Sequence, residues 1–146
     1  MIFSGDSSNG TNTMKKKLDF KVIAQTTYLV EQSVPTDNIF IWTYQITITN
    51  NSNEIVQLLN RFWHIIDMAD KVEEVQGPGV IGLQPIIKPK KKFSYNSFCQ
   101  LATPQGTMEG HYEMQTLDEE PFLIEIPRFE LIAPKEAQTI FRSKLH

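Results

Sequence analysis

The clearest alternation of hydrophobic and polar positions lies in the segment FIWTYQITITN, residues 40–50. Aromatic and aliphatic side chains occupy every second position from Phe40 to Ile48, and the positions between them are polar except for Ile41. A period of two places one set of side chains on each face of a β-strand. Aromatic and β-branched residues suit such a pleated surface. The pattern therefore predicts a half-buried strand that ends at the turn-forming NNSN, residues 50–53.

Further segments carry strand patterns: FKVIAQTTYLVEQ at 20–32, VQLLNRFWHII at 56–66, FSYNSF at 93–98, MEGHYEMQ at 108–115 and FLIEIPRFELI at 122–132. Bulky apolar residues on both faces of 56–66 indicate a central or a bulged strand, and Pro127 marks an edge or a bulge. Outside the C-terminal tail no segment shows helical periodicity, so the helical crossover that a parallel sheet needs is missing. The sequence predicts an all-β antiparallel sandwich of about seven or eight strands.

Length, composition and charge narrow the class of protein. A chain of 146 residues with 40% hydrophobic and 21% charged residues has the length of one globular domain. The net charge of -3 and the pI near 5.6 give no reason to expect nucleic acid as a partner. The single cysteine, Cys99, excludes an intrachain disulfide and fits a reducing compartment. With no apolar run long enough to span a bilayer, we expect a cytoplasmic protein without membrane insertion.

We predict that the chain consists of three segments. We expect residues 1–19 to be a disordered or added leader, with Met14 as a candidate natural start. Lys15 to Lys17 resemble the charged start of a signal peptide, but Asp19 and Lys21 interrupt the apolar region that should follow. Residues 20–134 are predicted to form the β-sandwich domain. Residues 135–146 are a charged C-terminal tail that forms a short helical turn or stays loose.

The segment GPGVIG, residues 77–82, has the G-x-G-x-x-G spacing of a loop that binds a dinucleotide pyrophosphate. That site needs a helix directly after the glycines, because the helix N-terminus supplies N–H groups to the phosphates. Pro85 and Pro89 exclude a helix interior here. The ribose-binding acid expected about 20 residues later is also missing, because no Asp or Glu lies between Glu74 and Glu109. The dinucleotide interpretation therefore fails.

Two interpretations of the glycine loop stay open. In the first, backbone N–H groups at Gly77, Gly79 and Gly82 form an anion-binding nest, and nearby lysines, Lys88 and Lys90 among them, add positive charge for a phosphate group. In the second, the glycines permit a tight left-handed turn or a close approach of another backbone, and the lysines form a solvated turn.

A second candidate site lies in the strand predicted at 108–115. Glu109, His111 and Glu113 alternate along one face, about 7 Å apart, and carboxylate and imidazole groups together are ligands for divalent transition metals. Side chains so spaced reach one ion only with help from a neighbouring strand. Alternating polar residues are also usual on the solvated face of an antiparallel sheet. We interpret His64 and Cys99 as structural residues, because no nucleophile with a base and an orienting acid is evident.

Several motifs, taken in order, resemble the ApaG family of small bacterial proteins: VQLLNRFWHIID, VQGPGVIGLQPIIKP, FSYNSF, TPQGTMEGHYEM and FLIEIPRFELIAP. The resemblance covers roughly residues 20–134. It includes the Arg-x-Trp pair at Arg61 and Trp63 and the G-x-M-x-G-x-Y run at 106–112. The chain departs from the family at Lys90, where members commonly have glycine after the proline, and at Phe98, where a glycine is frequent.

The resemblance implies an immunoglobulin-like, fibronectin type III-like sandwich, in a family linked by name to cobalt and magnesium efflux or resistance and without an established reaction. Its domain also occurs in eukaryotic F-box proteins and in a polymerase-interacting protein, which suggests protein–protein interaction. We therefore predict a non-enzymatic interaction module without a cofactor, acting on an unknown protein partner through the surface formed by Gly77 to Lys92, or as a homodimer through an exposed sheet. The alternative is a phosphate-containing or metal–nucleotide ligand on the glycine loop 77–82.

Overall fold

The structure of the chain, a computed structural model, describes residues 18–145. Residues 1–17 of the predicted leader, with the question of a natural start at Met14, and the last residue of the tail lie outside the described residues. Within the described part the elements in chain order are β1 (Phe20–Tyr28), β2 (Phe40–Asn50), β3 (Val56–Asp67), β4 (Val72–Pro78), β5 (Ile86–Ile87), β6 (Lys92–Leu101), β7 (Gln105–Thr116), β8 (Pro121–Ile132) and α1 (Lys135–Ser143).

The strands form two antiparallel sheets that pack face to face. One sheet has three strands in the order β1-β2-β6, and the other has five, in the order β4-β3-β7-β8 with β5 pairing to β3. Consecutive strands change sheet between β2 and β3 and again around β6, as in the immunoglobulin and fibronectin type III sandwiches. The predicted all-β antiparallel sandwich of seven or eight strands is confirmed.

The core lies between the sheets and follows the alternation read from the sequence. In β2 the residues from Phe40 to Asn50 alternate between buried and half-buried positions, so the aromatic and aliphatic set faces inward. Tyr44 of β2 meets Trp63 of the opposite sheet edge to face, with ring centroids 5.4 Å apart. Burying a large apolar side chain contributes roughly 1.5–3 kcal/mol, so this one strand contributes much of the inter-sheet attraction.

A β-bulge in β3 sets the direction of its second half. Leu58 pairs with Met114 and Asn60 pairs with Glu113, so Leu59 is one extra residue in β3. The extra residue shifts the phase of the strand. As a result Trp63 points into the core, whereas Phe62 lies on the solvated face. The sequence prediction of a central or bulged strand is correct on both counts. β3 lies between β4 and β7, and it carries the bulge at Leu59.

The last strand and the tail complete the fold. Pro127 lies on β8, an edge strand, at the register shift opposite Met108 and Gly110, as its lack of an N–H donor requires. The tail, which the sequence left open between a helical turn and a loose segment, forms helix α1, with Ala137 buried and Phe141 against Phe40. No helix within residues 18–145 is both long and apolar enough to cross a bilayer.

Candidate functional site

The glycine loop is a tight hairpin. Val80 and Leu83 exchange two backbone hydrogen bonds of 2.8 Å each. Between them Ile81 and Gly82 both have positive φ, 43° and 79°. Two central residues of positive φ define a type I′ turn, the usual connection of a two-residue hairpin. An extended chain follows the turn instead of a helix, in agreement with the failure of the dinucleotide interpretation.

Each glycine of the loop has its own structural reason. Gly77 lies under the Arg61 guanidinium, whose nearest nitrogen would be 3.4 Å from a Cβ at position 77. Gly79 approaches another backbone, since a Cβ there would lie 2.1 Å from the Leu83 carbonyl oxygen. Gly82 has open space around it and a φ of +79°, so only its backbone conformation calls for glycine.

Hydrogen bonds join the hairpin to the bulge of β3. The Gly79 N–H donates to the Leu59 carbonyl at 2.8 Å, and the Arg61 Nη1 donates to the carbonyls of Pro78 and Gly79 at 3.0 Å each. The amides of Gly79, Val80 and Leu83 are therefore already committed to backbone carbonyls. These bonds explain the loop without a ligand, and a phosphate held by Gly77, Gly79 and Gly82 stays a prediction.

The lysines belong to a separate turn. The Lys91 N–H donates to the Lys88 carbonyl at 3.1 Å, which closes a turn with Pro89 at its second position. Lys90, at the third position, has a φ of 67° and donates its backbone N–H to Asn50 and its Nζ to the Asn51 carbonyl. The described contacts attach this turn to the β2–β3 connection and the hairpin to β3. They do not join Lys88 or Lys90 to the glycines.

The solvated side of the five-stranded sheet carries a second candidate surface, which we call the outer face. At its centre the Phe62 ring stacks on the His111 ring, with centroids 4.9 Å apart and 20° between the planes. The two residues are direct partners across β3 and β7. The outer face comprises Glu74 and Gln76 of β4, Asn60, Phe62 and His64 of β3, Glu109, His111 and Glu113 of β7, and Leu123, Glu125 and Arg128 of β8.

Two open depressions lie side by side on the outer face, and we call them together the groove. The first encloses about 380 Å³ between His64, Glu125 and Arg128. The second encloses about 390 Å³ and extends to Gly77 at the start of the hairpin. Phe62 and His111 line both. Ligand pockets typically enclose about 300–1,000 Å³, so each depression can take a side chain or a small group.

The metal candidates Glu109, His111 and Glu113 each interact with a different neighbour. Glu109 accepts a hydrogen bond from Arg128 Nε at 2.8 Å, His111 stacks on Phe62, and Glu113 accepts from the Asn60 amide at 2.6 Å. Among residues 18–145, no group of three or more His, Cys, Asp or Glu side chains is placed to hold a metal ion. The metal site stays a prediction that this geometry does not favour.

Other polar residues take structural positions. His64 Nδ1 lies 3.0 Å from Glu74 across β3 and β4, and Arg61 holds backbone carbonyls. The Cys99 thiol is buried, and burial together with the negative charge of Glu73 raises its pKa to about 12. A thiol of so high a pKa stays protonated and weakly nucleophilic at neutral pH, as expected for a small buried residue.

Sequence reasoning did not find Phe62 or Arg128 as parts of a site. Phe62 stood in an apolar run, FWHII, whose outward positions depend on the bulge at Leu59. Arg128 follows Pro127 in a strand, and its pairing with Glu109 depends on the register between β7 and β8. The alternation around His111 was the only signal that pointed to this face.

Comparison with known proteins places the chain among close relatives. The family model of the ApaG domain matches residues 30–116. Protein ApaG of Allorhizobium ampelinum is 49% identical over 116 residues, 80% of this chain and 89% of the relative. Protein ApaG of Mesorhizobium japonicum is 50% identical over 113 residues, 77% of this chain and 87% of the relative. A crystal structure of a protein from Bordetella pertussis described as ApaA superposes with a TM-score of 0.79 at 38% identity, covering 82% of this chain and 98% of that one.

Proposed function

Since the chain belongs to the ApaG family, we propose that it is a non-enzymatic interaction module that binds a protein partner in the groove of its outer face. The observation that carries this proposal is the Phe62–His111 stack, from which the two depressions extend across neighbouring strands. An aromatic centre surrounded by polar groups is the usual composition of a protein–protein contact. An open sheet face that exposes such a centre is a natural docking surface.

The ionisable side chains of the groove also support binding of a partner rather than catalysis. Glu109 is held by Arg128, and His64 is held by Glu74. Such pairs fix the side-chain positions in the free protein. Less side-chain conformational entropy is therefore lost when a partner binds. We place the module in the cytoplasm because its single cysteine suits a reducing compartment. In this proposal, the effect on cobalt and magnesium resistance with which the family is linked by name is exerted by the bound partner.

Affinity capture with matched variants tests this function. The double variant F62S/H111S removes the stacked pair from the outer face. The control F98S removes a side chain that is 65% exposed on the outside of the three-stranded sheet. We expect quantitative mass spectrometry to find proteins that are retained by the wild type and by F98S and lost with F62S/H111S. Proteins lost equally with F98S, or no retention above bare resin, would contradict the proposal.

Two other interpretations predict different results. A phosphate-containing or metal–nucleotide ligand on the loop predicts saturable amide shifts at Gly77, Gly79 and Gly82 when pyrophosphate or ATP is added, with or without Mg²⁺ or Co²⁺. A homodimer predicts a sedimentation coefficient that rises with protein concentration. An interaction module specific for another protein predicts neither response.

A further inference from the structure

The groove has an acidic character that narrows the class of partner. Around it the carboxylates of Glu74, Glu109, Glu113 and Glu125 outnumber the guanidinium groups of Arg61 and Arg128. Arg61 lies at the hairpin end, where it donates to backbone carbonyls. The surface between β7 and β8 is therefore negative, and complementary charge is a main determinant of which partner a surface accepts.

Two of these carboxylates have neither a guanidinium nor an imidazole partner within the described part of the chain. Glu109 is paired with Arg128, and Glu74 with His64. Glu113 accepts a hydrogen bond from the neutral Asn60 amide, which leaves its charge in place. The Glu125 side chain is exposed and makes no hydrogen bond or ion pair to any of residues 18–145. Glu113 and Glu125 are thus the charges that a ligand can still neutralise.

The register of the sheet fixes the spacing of this pair. Glu125 is opposite His111, and Glu113 is opposite Leu123, so the two carboxylates are diagonal neighbours on β7 and β8. Diagonal positions of an antiparallel pair are about 7–8 Å apart. In an extended chain, alternate side chains on one face are separated by about 7 Å. Two basic side chains at positions i and i+2 of an extended segment match this distance.

From this geometry we infer that the groove binds an extended peptide segment of a partner protein that carries lysine or arginine at alternate positions. The inference rests on the proposed function and names its partner class. The two cations contact Glu113 and Glu125, while their aliphatic stems cover Leu123, which is 63% exposed. The register shift at Pro127 interrupts the edge of β8, and prolines and bulges disfavour the addition of a strand at an edge. We therefore assign recognition of the segment to side chains on the sheet face.

Peptide titrations followed by NMR test the inference. The probe is a blocked peptide alternating lysine with threonine. One control has the same composition with its lysines contiguous, and the other has glutamate in place of lysine. At low salt we expect saturable amide shifts centred on Phe62, His111, Glu113 and Glu125 with the alternating peptide. We expect weaker binding of the contiguous peptide and none of the glutamate peptide. Added salt should weaken the binding.

Charge variants identify the carboxylates involved. E113Q/E125Q removes both charges, and glutamine at position 113 keeps an oxygen that accepts the Asn60 hydrogen bond. E119Q/E136Q removes the same net charge from the β7–β8 turn and from α1. We expect E113Q/E125Q to raise the dissociation constant about tenfold, the combined effect of two exposed ion pairs, and E119Q/E136Q to leave it within about twofold.

Several results would overturn the inference. Equal losses in both double variants, or equal binding of the contiguous peptide, would show unspecific attraction to an acidic protein. Binding of the glutamate peptide would reverse the assigned charge, and shifts that depend on protein concentration without peptide would indicate a second copy. If F62S/H111S loses its captured proteins but no lysine peptide binds, the outer face remains the docking surface and only the basic partner is wrong.

Discussion

At the scale of single residues, the glycine loop shows how one sequence spacing can serve unrelated purposes. The G-x-G-x-x-G pattern suggests a phosphate loop, yet Gly77 makes room for Arg61, Gly79 for a carbonyl, and Gly82 permits a turn. The sequence supplied the reason to reject the dinucleotide site, because Pro85 and the missing acid were visible in it. The separate reasons for the glycines depend on the tertiary structure, since Leu83 and Arg61 reach them only through the hairpin and the sheet.

The two positive-φ glycines of the loop should respond differently to alanine. In G82A the cost is the left-handed backbone alone, about 1 kcal/mol of unfolding free energy. In G79A the same strain is joined by a clash of Cβ with the Leu83 oxygen, and we expect a loss of about 3 kcal/mol. Urea unfolding of both variants beside the wild type measures the difference. Equal losses would show that the close backbone approach at Gly79 is not maintained in solution.

At the scale of elements, local irregularities decide which side chains reach the groove. The extra residue Leu59 turns Phe62 outward, and its carbonyl receives the hairpin through Gly79. Gly110, opposite Trp63, allows β7 to approach β3, because a Cβ there would lie 1.9 Å from the Phe62 oxygen. The outer face therefore depends on a bulge and a close strand pair as much as on alternation.

Helix α1 offers an element-scale prediction. Phe141 packs edge to face on Phe40 of β2 with centroids 5.9 Å apart, whereas Ile140, its neighbour, is 36% exposed. We expect F141A to lower the unfolding free energy by about 1–2 kcal/mol, which is less than the loss on truncating a fully buried phenylalanine. It should also speed amide exchange in the helix. I140A, the matched control, should change stability by less than about 0.5 kcal/mol. The packing assignment is wrong if the two variants behave alike.

At the scale of the whole molecule, the two sheets together bury ionisable groups that neither sheet would bury alone. The Tyr95 and Tyr112 hydroxyls, one from each sheet, lie 2.5 Å apart in the core. Burial is the main cause that raises the pKa of both phenols above the usual range, and it also raises the pKa of Cys99. Because the closed sandwich buries these groups in their protonated form, the folding stability decreases at high pH.

The sign of that dependence follows from the thiol. At pH 8 and below, the Cys99 thiol is mostly protonated in the folded and unfolded states, and its contribution to stability is intact. Between pH 9 and the folded pKa of about 12 only the unfolded chain ionises, so stability falls by about 1.4 kcal/mol per pH unit.

Urea unfolding of the wild type and of C99A at pH 8 and pH 10.5 measures this dependence. From pH 8 to pH 10.5 we expect C99A to lose about 2 kcal/mol less than the wild type. The tyrosines and lysines contribute to both proteins, so the difference isolates the thiol. Identical losses would show that the Cys99 thiol is accessible to solvent.

The sequence by itself determined what depends on local order. Period two over 40–50 and 108–115 defines strands and their buried faces, because alternate residues of an extended chain must point in opposite directions. It also determined the antiparallel sandwich and the absence of a phosphate-binding helix after the glycines. The resemblance carried by Arg61, Trp63 and the 106–112 run pointed to the family.

Only the tertiary structure decided which residues of different strands meet. The Phe62–His111 stack, the Glu109–Arg128 pair and the diagonal of Glu113 and Glu125 all depend on register, and a shift of one residue would turn each side chain to the other face. That register follows from bulges and from the packing of the two sheets. Both depend on contacts between residues that are far apart in the sequence, and a local pattern of residues does not specify those contacts.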